Sequence, residues 1–168
     1  MAGALLVSCQ GWSQVRRLTL FDFRRMTSQS RHAAGILLVI LPTVIYGGTA
    51  ILSLLVDDPR YQQNSLRQDL WRAGHAHAGV LLILSLVALR YVDEANLSEG
   101  LKKVVRSTIP SSAILLPAAF FLSVLSPDAT RPNQLIYLAY VGAVVLSIGL
   151  VLLGVGLLRK PPSGSAKW

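Results

Sequence analysis

The sequence has few charged residues and almost no cysteine, and each shortage excludes a class of protein. Charged residues make up 14% of the 168 residues, where a soluble domain carries about 25%. Mean hydropathy is +0.52, so the chain is neither disordered nor an ordinary soluble domain. A single cysteine excludes a disulfide framework and any multi-cysteine zinc or iron–sulfur site.

Motifs of soluble enzymes are missing as well. The sequence has no phosphate-binding loop, dinucleotide glycine pattern or nucleophile elbow. We therefore expect no catalytic activity from this chain on its own and assign no catalytic residue.

Four long apolar segments dominate what the sequence does contain. They cover about 33–56, 73–92, 108–125 and 135–158, and the first and last hold no charged residue. Each is long enough to cross a bilayer. Since backbone groups in lipid must bond within their own segment, each span is predicted to be helical. The segments lack the polar face of a soluble helix, so the sequence predicts an all-α integral membrane four-helix bundle.

Basic residues are distributed unevenly around these spans. Twelve of the 16 lysines and arginines lie before the first span, from the end of the second span to the start of the third, or after the fourth. The positive-inside rule then places both termini in the cytoplasm. Topology and anionic lipid account for the net charge of +8, so no nucleic-acid partner is expected. The expected location is the bacterial cytoplasmic (inner) membrane, with the lipid bilayer as partner.

The predicted organisation has three parts: a basic N-terminal segment at 1–32, the four-span bundle at 33–158 and a short basic tail at 159–168. Met26 is an alternative start, which would make residues 1–25 an extension. The other interpretation of this segment is a basic amphipathic anchor.

Two features of the spans predict how they pack. Gly142, Gly149 and Gly156 recur every seven residues, close to two helical turns, so they form one stripe. Small residues let helices approach closely in lipid, and the stripe predicts a contact within the chain or, alternatively, a dimer interface. Pro42 in the first span predicts a kink. Near the spans, Asp57-Asp58-Pro59 reads as a helix-ending turn, and Asp93-Glu94 as a solvated loop edge.

One polar string, Trp71-Arg72-Ala73-Gly74-His75-Ala76-His77-Ala78-Gly79, opens the second span. Imidazoles inside a membrane segment indicate a functional site by default, and they bind haem iron, zinc and copper. His75 and His77 lie about 200° apart around a helix, so they face opposite sides and cannot share one ion. His32 belongs to the other side of the bilayer, ~30 Å away.

The candidate cofactor-binding residue is therefore His75 or His77. Tyr46, Tyr137 and Tyr140 belong to the same outer half and are candidates for the lining of a cavity that opens outward. No particular metal is predicted. The alternative is an interfacial aromatic belt, in which the histidines bond to loop groups.

The Gly74–Gly79 string at the head of an apolar helix resembles the haem-ligating helix of haem–copper oxidase and nitric-oxide-reductase core subunits, over Arg72–Leu89. The resemblance implies that His75 or His77 is an axial ligand of haem b. The spans hold no further histidine for a copper centre, so a partner chain would supply the other ligand. The chain is also similar to small bacterial four-span membrane proteins of unassigned function.

These observations lead to one expected function and two alternatives. The expected function is a non-catalytic accessory component of respiratory or redox chemistry that binds haem, a metal or a quinone near its outer face. The first alternative is a ligand-free structural or assembly subunit of a larger membrane complex. The second is a small transporter or channel that exposes backbone carbonyls at the Pro42 kink. Another membrane subunit or a second copy of the chain is the expected protein partner.

Overall fold

The computed structural model describes residues 26–159, which are mostly helical and contain no strand. The elements are α1 (Ser28–Asp57), α2 (Pro59–Gln62), α3 (Ser65–Val92), α4 (Glu99–Ser123), a 3-10 turn (Gln134–Tyr137) and α5 (Leu138–Leu158). Four helices are long and apolar enough to span a membrane, which confirms that part of the prediction. The interpretations of residues 1–25 and of the tail beyond Arg159 fall outside the described residues.

Helices α1, α3 and α4 begin before the predicted spans, whereas α4 ends at Ser123, short of the predicted 125, and α5 begins at Leu138 after the 3-10 turn. Asn64 caps α3 by accepting a hydrogen bond from the Arg67 amide at 3.0 Å, and Ser98 caps α4 through the Leu101 amide at 3.4 Å. Helix α1 likewise begins inside the segment predicted at 1–32, where Thr27 accepts from the Ser30 amide at 3.2 Å. Capping side chains set these starts, whereas hydropathy marks only the part of each helix that is apolar.

The turn predicted at Asp57-Asp58-Pro59 is confirmed. Helix α1 ends at Asp57, and the Asp58 side chain accepts from the amide of Arg60 at 2.9 Å. Pro59 is the first residue of α2, a position where its missing N–H leaves no bond unmade.

The four long helices are packed unequally. Helix α4 packs extensively on both α3 and α5, whereas α1 packs mainly on α3 and has at most marginal contact with α5. In the most apolar stretch of α1, 6% of residues are buried, against 39% in α4. The bundle therefore has a core of three helices, α3, α4 and α5, with α1 attached to its side.

The chain runs up and down, which gives the bundle two ends. One end carries Asp93 and Arg106, and we call it the Arg106 end. There the amide of Thr27 donates to Asp93 at 2.8 Å, and the amide of Asn96 donates to the Gly156 carbonyl at 2.8 Å. Both ends of the described chain lie there. The opposite end carries Arg67, and we call it the Arg67 end. There Asn64 Nδ2 donates to the carbonyls of Pro127 and Ala129, at 3.0 Å each.

Helix α1 is continuous through Pro42. Proline removes one backbone hydrogen bond, and no break in the helix accompanies its loss. The transporter alternative combined a break at Pro42–Gly48 with the outer polar cluster, and α1 is helical throughout that stretch.

Candidate functional site

The two histidines of α3 contact different neighbours. His75 lies against Gly47 and Gly48 of α1, whereas the His77 ring packs on Phe120 of α4 with 5.1 Å between ring centroids. They occupy opposite flanks of α3, as two positions 200° apart on a helix must. One ion cannot be held by both.

The His75 ring is closely covered by α1. A Cβ atom built on Gly48 would lie 2.9 Å from Nε2 of His75, and one built on Gly47 would lie 3.9 Å from Nδ1. Glycine at position 48 is therefore what lets α1 approach the ring. A ligated zinc lies about 2.0–2.1 Å from the imidazole nitrogen, and the α1 backbone leaves little space for an ion there.

The His77 ring is exposed and held in one orientation. Its Nδ1 lies 2.7 Å from the carbonyl oxygen of Ala73, one helical turn earlier. Because a carbonyl only accepts, Nδ1 carries the hydrogen in this bond, and in the neutral imidazole Nε2 is then the nitrogen with the lone pair. Metal-ligating histidines are commonly fixed in this way, through the nitrogen that does not bind the metal.

The three tyrosines lie on the surface. Tyr46 is 74% exposed, Tyr137 64% and Tyr140 69%. Tyr137 and Tyr140 pack on each other, with 6.2 Å between ring centroids. Side chains this exposed do not enclose a cavity among residues 26–159.

Residues 26–159 contain no group of three or more His, Cys, Asp or Glu side chains that could hold a metal ion. An apolar cavity of about 310 Å³ does open between α1, α3 and α4, and neither His75 nor His77 lines it. A metal ion held at α3 by three or more such side chains would need ligands from outside the described residues.

The glycine stripe of α5 faces α4 and the connection that precedes it. A Cβ on Gly142 would lie 2.9 Å from Leu116, and one on Gly149 2.5 Å from Thr108 Oγ1. A Cβ on Gly156 would lie 2.5 Å from Leu97. These contacts are all within one chain, which is the first of the two packing arrangements that the stripe predicted.

A buried polar network occupies the Arg106 end, and the sequence interpretation of Asp93 as a solvated loop residue is wrong. The Asp93 side chain is 7% exposed, and its carboxylate lies 2.7 Å from Arg106 Nη2. Ser30 Oγ donates to the same carboxylate at 3.0 Å, and Arg106 Nε donates to Ser30 Oγ at 3.0 Å. This network ties α1 to the α3–α4 connection.

The electrostatics of this network favour the ionised form of the Asp93 side chain over its protonated form. Burial by itself would raise the pKa of Asp93, but hydrogen bonds from Arg106, Thr27 and Ser30 and the charge of Arg106 act in the opposite direction. The net effect holds the pKa of Asp93 below its ordinary value. Asp93 is therefore ionised at neutral pH and fully hydrogen-bonded.

A second buried arginine, Arg67, lies at the other end of α3. Its Cζ atom is 4.3 Å from the ring centroid of Trp71 and 5.8 Å from that of Tyr61. Phe121 of α4 packs on Trp71, with 5.8 Å between ring centroids. The four-residue spacing of Arg67 and Trp71 on one helix face is a sequence signal for this contact. Tyr61 belongs to α2, and no local sequence pattern predicts its contact with Arg67.

Comparison with family models, with curated proteins and with solved structures found no match for this chain.

Proposed function

We propose that the chain is a multi-pass subunit of the bacterial inner membrane, with both termini in the cytoplasm and no catalysis of its own. In this proposal it presents Nε2 of His77 to a redox group, either a haem iron or a quinone, that it shares with a second membrane chain. The single observation that carries the proposal is the 2.7 Å contact between His77 Nδ1 and the Ala73 carbonyl.

That contact favours His77 over His75 for a physical reason. With Nδ1 donating to the backbone, the lone pair of His77 Nε2 is free and its ring is exposed at the side of the bundle. A haem iron accepts such a lone pair as an axial ligand, and a quinol hydroxyl can donate to it. Nε2 of His75 faces Gly48 instead, where neither group fits without moving α1.

A second chain enters the proposal because this one is incomplete as a haem site. Within residues 26–159, His77 has no neighbouring set of metal ligands. An exposed imidazole at the side of a membrane bundle is placed to meet a group that another subunit also holds. The resemblance of Arg72–Leu89 to a haem-ligating helix agrees with this arrangement.

The test is the visible spectrum of the full-length protein, extracted in mild detergent from a haem-sufficient host, before and after reduction with dithionite. A Soret band that shifts on reduction is expected. His77→Ala should abolish it, and the matched control His75→Ala should keep at least half of it. A quinone assay of the extract follows the same two variants.

Two outcomes would contradict the role proposed for His77. Loss of the band in His75→Ala, with His77→Ala unchanged, would move the ligand to the α1–α3 interface. A flat spectrum together with quinone levels that do not depend on His77 would refute the redox-group proposal.

One observation favours a second candidate, a structural subunit without ligand. Helix α1 is attached mainly through α3, and its most apolar stretch is 6% buried. In this candidate, α1 packs on another subunit of a larger complex. Gly35→Leu adds bulk on α1 at a position where an added Cβ meets no other described part of the bundle within 4 Å, and Gly154→Leu does the same on α5. Gly35→Leu alone should reduce the amount of chain found in a large complex on native gels.

A further inference from the structure

Three buried hydrogen-bond donors without partners meet at the Arg67 end. They are Oη of Tyr61, Nε of Arg67 and Nε1 of Trp71, and none has a partner among residues 26–159. Tyr61 is 0% exposed and Arg67 is 7% exposed. Buried polar atoms without partners are few in native proteins, so three in one cluster call for an explanation. We name this group the Arg67 cluster.

The local sequence brings the three donors together. Arg67 and Trp71 lie one turn apart on α3, and the Asp58 cap and Pro59 start the short helix that carries Tyr61. The ring centroids of Tyr61 and Trp71 are 5.9 Å apart. The guanidinium lies within 6 Å of both rings, which holds it at a fixed place.

Charge makes the cluster unusual as well. In the described part of the chain no carboxylate forms an ion pair with Arg67. Asp58 accepts from the amides of Arg60 and Tyr61, and Asp69 and Asp128 are exposed. Cation–π contact with the two rings offsets only part of the cost of burying an unpaired charge. A positive charge with several donors and no acceptor is complementary to an oxyanion.

An oxyanion would reach the cluster through the terminal nitrogens of Arg67. The terminal nitrogens of Arg67 are not among the buried atoms without a partner, and no hydrogen bond to them is formed within residues 26–159. They therefore lie where the remaining 7% of Arg67 reaches the surface. A polar cleft of about 450 Å³ lies at the same end and is lined by Asn64 and Leu66, which precede Arg67 in the chain, and by Asp128.

We propose that the Arg67 cluster binds the phosphate group of an anionic phospholipid. The cluster lies at the end of four helices that are long enough to span a membrane, which is the depth of the lipid headgroups. Tryptophan and tyrosine are enriched at that depth. The phosphate oxygens accept from the guanidinium and, once it is engaged, from the phenol and the indole. This site is independent of His77 and of the redox group proposed above.

The test uses delipidated full-length protein in dodecyl maltoside, titrated with dioleoylphosphatidylglycerol and followed by native mass spectrometry. Arg67→Gln should weaken lipid binding at least tenfold. Arg131→Gln removes an exposed charge at the same end and should change binding less than twofold. Dioleoylphosphatidylcholine is the zwitterionic comparison and should bind at least fivefold more weakly than phosphatidylglycerol.

A second variant tests the proposal even if Arg67→Gln does not fold. Tyr61→Phe removes a hydroxyl that has no partner among residues 26–159, so without a bound phosphate it should leave the unfolding midpoint unchanged or raise it. With phosphatidylglycerol present, Tyr61→Phe should lower affinity about threefold. A parallel arm replaces the lipid with inorganic phosphate.

Each outcome decides the proposal. Equal losses in Arg67→Gln and Arg131→Gln would show non-specific attraction and overturn it. Full lipid binding in both Arg67→Gln and Tyr61→Phe would overturn it too. Inorganic phosphate that competes with the lipid at millimolar concentration or below would assign the cluster to a free oxyanion and not to a lipid. Arg67-dependent and Tyr61-dependent binding of phosphatidylglycerol alone supports it.

Discussion

Two buried arginines lie at opposite ends of the bundle, and their surroundings differ in kind. Arg106 has a carboxylate 2.7 Å away and further bonds to Ser30 and Gln29. Arg67 is equally buried, yet it lies between aromatic rings with no carboxylate paired to it in the described chain. Both side chains are less than one-tenth exposed.

The difference separates a structural role from a binding role. A buried charge that is paired with a carboxylate is already engaged within the chain, and removal of its partner disrupts the fold. A buried charge with unsatisfied donors contributes little to the fold and retains the capacity to bind an anion. The Arg106 network fastens α1 to the rest of the bundle, and the Arg67 cluster is available to a molecule from outside.

The largest effect is expected from Asp93→Ala. Removal of the carboxylate leaves Arg106 buried without its counter-charge and also removes the acceptor for Thr27 and Ser30. Breaking one side of a buried pair costs about 3–5 kcal/mol. Unfolding of the detergent-solubilised protein, followed by helical circular dichroism during titration with denaturant, measures the loss.

The matched control is Asp128→Ala at the Arg67 end. Asp128 is exposed and has no ion pair among the described residues, so its removal should change the free energy of unfolding by less than about 0.5 kcal/mol. Equal effects of the two substitutions would contradict the structural role of the Arg106 network.

A smaller effect is expected from the contact of α5 with α4 toward the Arg106 end. In Gly149→Ala the new Cβ would lie 2.5 Å from Thr108 Oγ1 and 2.6 Å from Ile109 Cγ1. Such overpacking costs about 1–3 kcal/mol. Gly154→Ala on the same helix meets nothing within 4 Å and should be neutral or slightly stabilising, in the same unfolding experiment. A neutral Gly149→Ala would mean that α4 and α5 are not this close.

Features of the fold differ in how far the sequence predicts them. Four apolar helices follow from hydropathy, since lipid requires runs of about 20 apolar residues. Their true starts, at residues such as Ser65 and Glu99, depend on capping side chains in polar stretches that hydropathy does not mark. The opposite placement of His75 and His77 follows from helix periodicity alone.

Contacts between distant segments escaped the sequence interpretation. Asp93 reads as a loop residue because its partners Thr27 and Ser30 are more than 60 positions away, and no local pattern links them. The peripheral place of α1 has a similar cause. An apolar helix gives the same hydropathy signal whether it meets lipid or protein, so its 6% burial is not visible in its composition.

Acid titration should distinguish the two ends, because the Arg106 network contains a buried carboxylate and the Arg67 cluster has none. The folded-state pKa of Asp93 is lowered, so its contribution to stability is complete above the unfolded pKa of about 3.9 and is lost as pH falls from there through the folded pKa. Unfolding midpoints measured between pH 5 and pH 2 should fall more steeply in the wild type than in Asp93→Asn. Parallel curves would show that Asp93 is not the group that titrates.

The smallest effect on stability is expected from Arg67→Met. Methionine fills similar space and packs well on aromatic rings, while the substitution removes a buried charge that has no counter-charge. Replacing a buried charge with an apolar side chain is often neutral, so the free energy of unfolding in lipid-free detergent should change by less than about 1 kcal/mol. Added phosphatidylglycerol should then stabilise the wild type and not the variant. A loss in lipid-free detergent as large as that of Asp93→Ala would erase the contrast between the two ends, because it would make Arg67 a structural residue like Arg106.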